Sequence, residues 1–180
     1  GELMESVALR YATSLFEIAK EENAIERYEA DLHLVKDVLT KDEDVLSFFM
    51  HFNVSKEAKK ETLEKAFKDS LSRNVLNFNK LLIDKNRYQS ILDVVDAYHE
   101  LYNEHEGIKE GVVYSYLPLT NEEVNKIQEA VSKKLNLKIL LKNEIDESLM
   151  GGVKVVVENH VMDGSIKNRM DLLKQELLRK

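Results

Sequence analysis

The run Glu104-His105-Glu106-Gly107-Ile108, followed by Glu110-Gly111-Val112-Val113-Tyr114-Ser115-Tyr116-Leu117-Pro118-Leu119, is where the chain changes its pattern. Before Gly107, apolar residues return every three or four positions, the spacing of a helix with one buried face. After it they alternate, and Val and Tyr dominate, which predicts a strand over Glu110 to Leu119 with Pro118 closing it. Glycine at the junction ends the last helix, because it takes the left-handed conformation without steric cost. The reading is therefore α+β: an N-terminal six-helix bundle over residues 5–106, then a small mixed strand/helix C-terminal domain over residues 107–180.

Working upstream, Val7, Tyr11, Leu15 and Ile18 line one face of a first helix, with Ala8, Ala12 and Ala19 beside them and Ser6 as its expected N-cap. Ile25, Tyr28, Leu32, Val35 and Leu39 mark a second helix, on which Glu29 is expected to be exposed. Asp42 or Asp44 caps a short third through Phe48 and Phe49, and Ser55 a fourth carrying Leu63 and Phe67. Ser72 is the expected cap of a fifth through Val75, Phe78 and Leu82. The sixth runs from Ile91 through Tyr98 to Gly107.

Downstream, Thr120 and Glu123 form a T-x-x-E capping box for a helix carrying Val124, Ile127, Val131 and Leu135. Ile139 to Leu141 predicts a short strand. Val153 to Val157 and Val161 predict two more, joined by a turn at Asn159-His160. Gly151-Gly152 and Asp163-Gly164 read as structural turns, and Ser165 as the cap of a last helix through Ile166, Met170, Leu173 and Leu177.

Composition bounds the function. Hydrophobic residues make up 43% of the 180 and charged residues 33%, enough for a core beneath a heavily ionised surface, which excludes a disordered chain. Apolar runs are too short for a membrane span, and no cysteine is present for a disulfide, a thiolate metal site or a thiol nucleophile. Gly1-Glu2-Leu3 ahead of Met4 reads as a cloning remnant, and no secretory signal follows it. Residues 1–106 hold 14 Lys+Arg against 22 Asp+Glu, a net of −8 that repels a phosphate backbone, so nucleic acid is not an expected partner. Residues 107–180 hold 12 against 11, a net of +1.

Chemistry is hard to find in the chain. The histidines show no metal-ligand spacing, His99 and His105 falling on different helix faces. Asp42-Glu43-Asp44 lacks the glycine and terminal Glu of a calcium loop. Gly151-Gly152 lacks the Lys-Ser/Thr continuation of a phosphate cradle, and there is no nucleophile elbow. No catalytic residue, metal or cofactor is expected. A binding or structural protein remains.

Three blocks then carry a resemblance. Ala8-Leu9-Arg10-Tyr11-Ala12-Thr13-Ser14-Leu15-Phe16-Glu17-Ile18-Ala19 resembles the opening of the delta subunit of F-type ATP synthases, the oligomycin-sensitivity-conferring protein of mitochondria. Val75-Leu76-Asn77-Phe78, Lys80-Leu81-Leu82 and Arg87 are similar to its N-F-x-x-L-L-x-x-x-x-R segment. Ile145 to Val153, with Gly151-Gly152, followed by Asp163-Gly164-Ser165-Ile166, are similar to its C-terminal signature. Departures are Ser14 for alanine, Asn79 for an apolar residue, His51-Phe52 for Asn-Pro, and Val156 for a charged strand residue.

The resemblance implies a non-catalytic stator subunit, peripheral at the cytoplasmic face of a bacterial membrane and monomeric within a hetero-oligomeric complex. Its helical domain would bind the amphipathic N-terminal segment of an alpha subunit of the catalytic head. Its second domain would hold the C-terminal end of the b-subunit stalk. The expected partner-binding residues are Ala8, Tyr11, Ala12, Leu15 and Phe16 on the first helix with Phe78, Leu81 and Leu82 on the fifth, framed by acidic Glu5 and Asp84. The competing reading is a helical scaffolding or regulatory protein unrelated to the synthase.

Overall fold

The computed structural model describes residues 2–163. Gly164 of the expected turn, and the expected last helix from Ser165 through Ile166, Met170, Leu173 and Leu177, lie outside the described residues. The chain divides into two compact units, Gly1–Tyr102 and Asn103–Lys180, so the division falls just ahead of Gly107. Among the described residues the fold mixes seven α-helices with a four-stranded sheet. None of those helices is long and apolar enough to cross a membrane.

The first unit is helical: α1 (Glu2–Glu21), α2 (Ile25–Lys41), α3 (Glu43–Met50), α4 (Lys56–Phe67), α5 (Arg73–Asp84), a 3-10 turn at Tyr88–Ser90, and α6, which starts at Ile91 and runs to Glu106. One core joins them. It takes Ala8, Ala12, Leu15, Phe16 and Ala19 from α1, Leu32, Val35 and Leu39 from α2, Val75, Leu76 and Leu82 from α5, and Ile91, Val94, Val95 and Tyr98 from α6. Phe16 meets Tyr98 edge-on at 5.5 Å, and the Tyr98 hydroxyl donates to the Ile25 carbonyl at 2.8 Å. The tyrosine thus fills the core while its polar tip is satisfied.

Helix ends follow local chemistry. Asp42 Oδ1 accepts from Asp44 N at 2.8 Å, and Ser55 Oγ from Ala58 N at 3.1 Å. Two expected caps differ. Ser6 lies inside α1, which begins at Glu2. Ser72 occupies the N-cap position of α5, but its side chain makes no capping bond. The buried Asp31 carboxylate of α2 accepts from Ser72 N at 2.9 Å instead, and Arg27 Nε donates to its other oxygen at 2.9 Å. A capping bond, worth about 1 kcal/mol, therefore comes from another helix and ties α2 to α5.

The second unit contains β1 (Ile108–Ser115), α7 (Asn121–Leu135), β2 (Lys138–Ile145), β3 (Val153–Val157) and β4 (His160–Asp163), in sheet order β2-β1-β3-β4. β1 and β2 are parallel, as a helical crossover permits, and β3 is antiparallel to both β1 and β4. Ile127, Ala130 and Val131 of α7 pack on Val113, Ile139, Val153, Val155 and Val157 of the sheet. Both halves of the Thr120–Glu123 capping box form, at 3.1 and 3.0 Å.

The limits of β1, β2 and β4 differ from the sequence reading. β1 starts at Ile108 and stops at Ser115, so Tyr116 to Leu119 form the link to α7. Ser115 Oγ donates to the Leu117 carbonyl at 2.7 Å and bends the chain away. β2 runs well past Leu141, because Lys142, Asn143 and Glu144 pair through their backbones with Val112, Val113 and Tyr114. Asn143 adds a bracket, donating to the Val113 carbonyl at 2.9 Å and accepting from Leu119 N at 2.9 Å. The hairpin turn is Glu158-Asn159, since His160 pairs with Val157. Asp163 is not in a turn; it pairs with Lys154 in β4.

Gly111 shows how tightly the sheet is packed. A Cβ there would stand 2.5 Å from Val157 Cγ2 and 2.6 Å from the Val156 carbonyl oxygen. Gly111→Ala is expected to force β1 and β3 apart and cost about 1–3 kcal/mol. Gly107, at φ +69° with nothing within 4 Å of an added Cβ, is expected to accept asparagine with little loss. Chemical denaturation followed by circular dichroism tests both; equal stability of Gly111→Ala and the parent contradicts the packing argument.

Candidate partner-binding groove

An open groove of about 690 Å³ separates α1 from α5 and is lined by Tyr11, Ser14, Leu15 and Ile18 on one side and Asn74, Asn77, Phe78 and Leu81 on the other. Each set recurs at i, i+3, i+4 and i+7, the spacing of one helix face. Tyr11 and Phe78 meet edge-on across it, ring centroids 6.0 Å apart, and the Arg87 guanidinium lies 6.0 Å from the Tyr11 ring. Ile18 and Leu81 are 41% and 42% exposed, an uncovered apolar pair on opposite walls. Its polar lining is uncharged: Ser14, Asn74 and Asn77.

Polar bonds beside and behind the walls hold them in place. Asn74 Nδ2 donates to Glu22 Oε1 at 2.6 Å, and the Tyr28 hydroxyl donates to Glu22 Oε2 at 2.7 Å, linking α5 to the α1–α2 connection. Burial, then the bond to Glu22, raises the Tyr28 pKa, so the hydroxyl keeps the proton it donates. On the core side of α5, fully buried Asn79 donates to the Val75 carbonyl at 2.8 Å and accepts from the Tyr88 hydroxyl at 2.9 Å. Burial pushes the Tyr88 pKa far up, which keeps it a donor. This pair sets the roll of α5 and turns Phe78 and Leu81 towards the groove. Asn79 thus has a partner that an apolar residue would leave unpaired, at a cost of about 1–3 kcal/mol.

Four of the eight expected contact residues, Tyr11, Leu15, Phe78 and Leu81, line the groove. Ala12, Phe16 and Leu82 face the core, Leu82 with no exposed surface, and Ala8 is buried beside a separate depression between α1 and α6. Asp84 is not on the groove; its carboxylate pairs with Lys60 of α4 at 2.8 Å. Ser14, Ile18, Asn74 and Asn77 complete the lining. Extending the Tyr11–Leu15 and Phe78–Leu81 spacings by one helical step would have found them.

The segment between β2 and β3 is a built turn. Asp146 Oδ1 accepts from Ser148 Oγ at 2.6 Å and from Ser148 N at 3.0 Å, and Asp146 N donates to the Ser115 carbonyl at 2.8 Å. Gly151 and Gly152 follow at φ 86° and 65°, where a side chain would be strained.

Two histidines also meet where the spacing suggested none would. His33 of α2 and His99 of α6 converge on Glu29, which is 7% exposed rather than on an outer face. The signal was Glu29-x-x-x-His33, one helical turn on α2; the third member needs the α2–α6 contact.

Residues 7–177 match the family described as ATP synthase delta (OSCP) subunit. A protein named ATP synthase subunit delta from Alkalihalophilus pseudofirmus is 35% identical over 175 residues, covering 97% of this chain and 96% of that one. Its namesake from Bacillus mycoides is 39% identical over 174 residues, covering 96% of each. A chain of the Toxoplasma gondii mitochondrial ATP synthase hexamer, solved by cryo-EM, superposes with a TM-score of 0.66 at 25% identity, covering 96% of this chain and 98% of that one.

The Asp146 turn yields a pH prediction. The Ser148 hydroxyl, then its amide, holds the Asp146 carboxyl below the ordinary carboxylate range. Its contribution is therefore complete above the unfolded pKa and lost as pH falls through the depressed folded value. Ser148→Ala is expected to raise the Asp146 pKa towards the ordinary range in a carboxyl carbon NMR titration. An unchanged titration contradicts the assigned cause.

Proposed function

Because the chain belongs to the ATP synthase delta (OSCP) subunit family, we propose that it is the joint of the stator, its helical unit seated on the catalytic head and its sheet unit on the b-subunit stalk. Members of this family are non-catalytic components of the peripheral stalk of F-type ATP synthase, which removes the alternative of an unrelated scaffolding protein. The stalk stops the head from turning with the rotor, so ion-driven rotation is coupled to ATP synthesis. The subunit works at the cytoplasmic face of a bacterial membrane, as a single copy within the complex.

The observation that carries the head-binding half is the α1–α5 groove, with Tyr11, Leu15, Ile18, Phe78 and Leu81 along it. Its occupant is the amphipathic N-terminal segment of an alpha subunit, docked by its apolar stripe as helix-in-groove recognition requires. Uncharged lining residues give such a helix no fixed ion-pair partner, so affinity rests on apolar anchors. Burying one leucine-sized side chain contributes about 1.5–3 kcal/mol, and two or three anchors suffice for tight binding after ordering costs. The stalk-binding half is supported by the exposed apolar residues Leu117, Met150 and Val161 of the second unit.

Leu15 is buried, so an aspartate there would test folding as much as binding. Ile18→Asp and Leu81→Asp alter exposed positions and are expected to fold normally. Each should weaken binding of a synthetic alpha N-terminal peptide by about tenfold or more, the equivalent of one lost anchor. Glu26→Lys, exposed on α2, should leave it unchanged. Calorimetry on the full chain decides; normal binding by both folded groove variants places the interface elsewhere.

A further inference from the structure

The cluster of Glu29, His33 and His99 is absorbed by no part of the stator function. Glu29 and His33 stand one turn apart on α2, and His99 reaches them from α6. His99 Nδ1 lies 2.8 Å from Glu29 Oε2, His33 Nε2 lies 3.3 Å from Glu29 Oε1, and the two ring nitrogens are 3.3 Å apart. The imidazole rings meet edge-on with centroids 5.0 Å apart. Two nitrogens and a carboxylate therefore lie within 4.8 Å of one another.

Hydrogen bonding alone leaves this arrangement incomplete. In the tautomer with a proton on Nδ1, His99 donates to Glu29 Oε2. Glu29 Oε1 is closed off from solvent and accepts no hydrogen bond, although it faces His33 Nε2. A buried carboxylate oxygen without a donor is costly, about 1–3 kcal/mol or more for a charged group. A cation between the three groups satisfies that oxygen and both nitrogens at once.

The spacing also fits. Tetrahedral ligands about 2.0–2.1 Å from a zinc ion stand about 3.4 Å from one another. His33 Nε2 stands 3.3 Å from both His99 Nδ1 and Glu29 Oε1, and one donor atom from each of the three residues lies within 4.8 Å of the others. Imidazole donors select zinc, nickel, cobalt and copper over magnesium and calcium, which take oxygen ligands. The His33 side chain is 41% exposed, giving the ion an entry path and water access to a fourth position. From these observations we propose that Glu29, His33 and His99 form a binding site for a divalent transition-metal ion of the zinc class, which staples α2 to α6.

The full chain, carrying no polyhistidine tag, is titrated with zinc chloride by calorimetry and with cobalt(II) chloride by visible absorption. The expected result is one zinc per chain at low-micromolar affinity or tighter, an intense tetrahedral cobalt band, and a higher Tm with zinc that a chelator reverses. His33→Ala and His99→Ala are expected to weaken binding at least about tenfold and to remove the cobalt band. The isosteric Glu29→Gln guards against loss of packing and should also weaken it. His160→Ala, on exposed β4, should bind like the parent. No saturable binding by the parent, or undiminished binding by a folded His33→Ala variant, overturns the site.

Discussion

The helical unit depends on how closely α1 sits on its neighbours. Ala8, Ala12 and Ala19 are all at most 1% exposed, and their small side chains let the helix lie deep in the core. A larger residue at Ala12 would lift it and strain the packing by about 1–3 kcal/mol. With that face buried, Tyr11, Leu15 and Ile18 emerge at the edge of the core. The groove against α5 is the consequence: α1 has more apolar surface than its own bundle covers.

Polar groups then fix what apolar packing leaves loose. Asp31 caps α5 from α2, Asn79 and Tyr88 set the roll of α5, and Glu22 anchors Asn74. In the sheet unit Asn143 brackets the link between β1 and α7, and Asp146 shapes the turn before β3. All of these but the Asp146 turn are bonds between elements, and they pair groups that would otherwise cost free energy when buried. A structural subunit of the peripheral stalk gains from such cross-links, because they resist sliding where apolar contacts permit it.

Much of this was legible in the sequence. Helix faces follow from the apolar spacing, the start of α7 from Thr120 and Glu123, the change of architecture from Gly107, and the family from three ordered blocks. What escaped has a common cause: it depends on contacts between residues far apart in the chain. The full length of β2 is set by pairing with β1, in which polar Lys142, Asn143 and Glu144 join through their backbones and Asn143 adds a side-chain bond. Leu82 looked equivalent to Leu81 in spacing, yet neighbouring helices cover it, and on α1 both Leu15 and Phe16 are buried while Ile18 is the exposed apolar residue. Glu29 reads as a surface charge until His99, on α6, is known to face it.

The central claim is that the α1–α5 groove receives a helix of the catalytic head. Intermolecular nuclear Overhauser effects between the full chain and an isotope-filtered alpha N-terminal peptide test it directly. The account predicts cross-peaks from the Ile18 and Leu81 methyl groups and from the Tyr11 and Phe78 rings to apolar side chains of the peptide. Cross-peaks confined to Leu9 and Ala97 on the α1–α6 side, or to Leu117 and Met150 of the sheet unit, would contradict it.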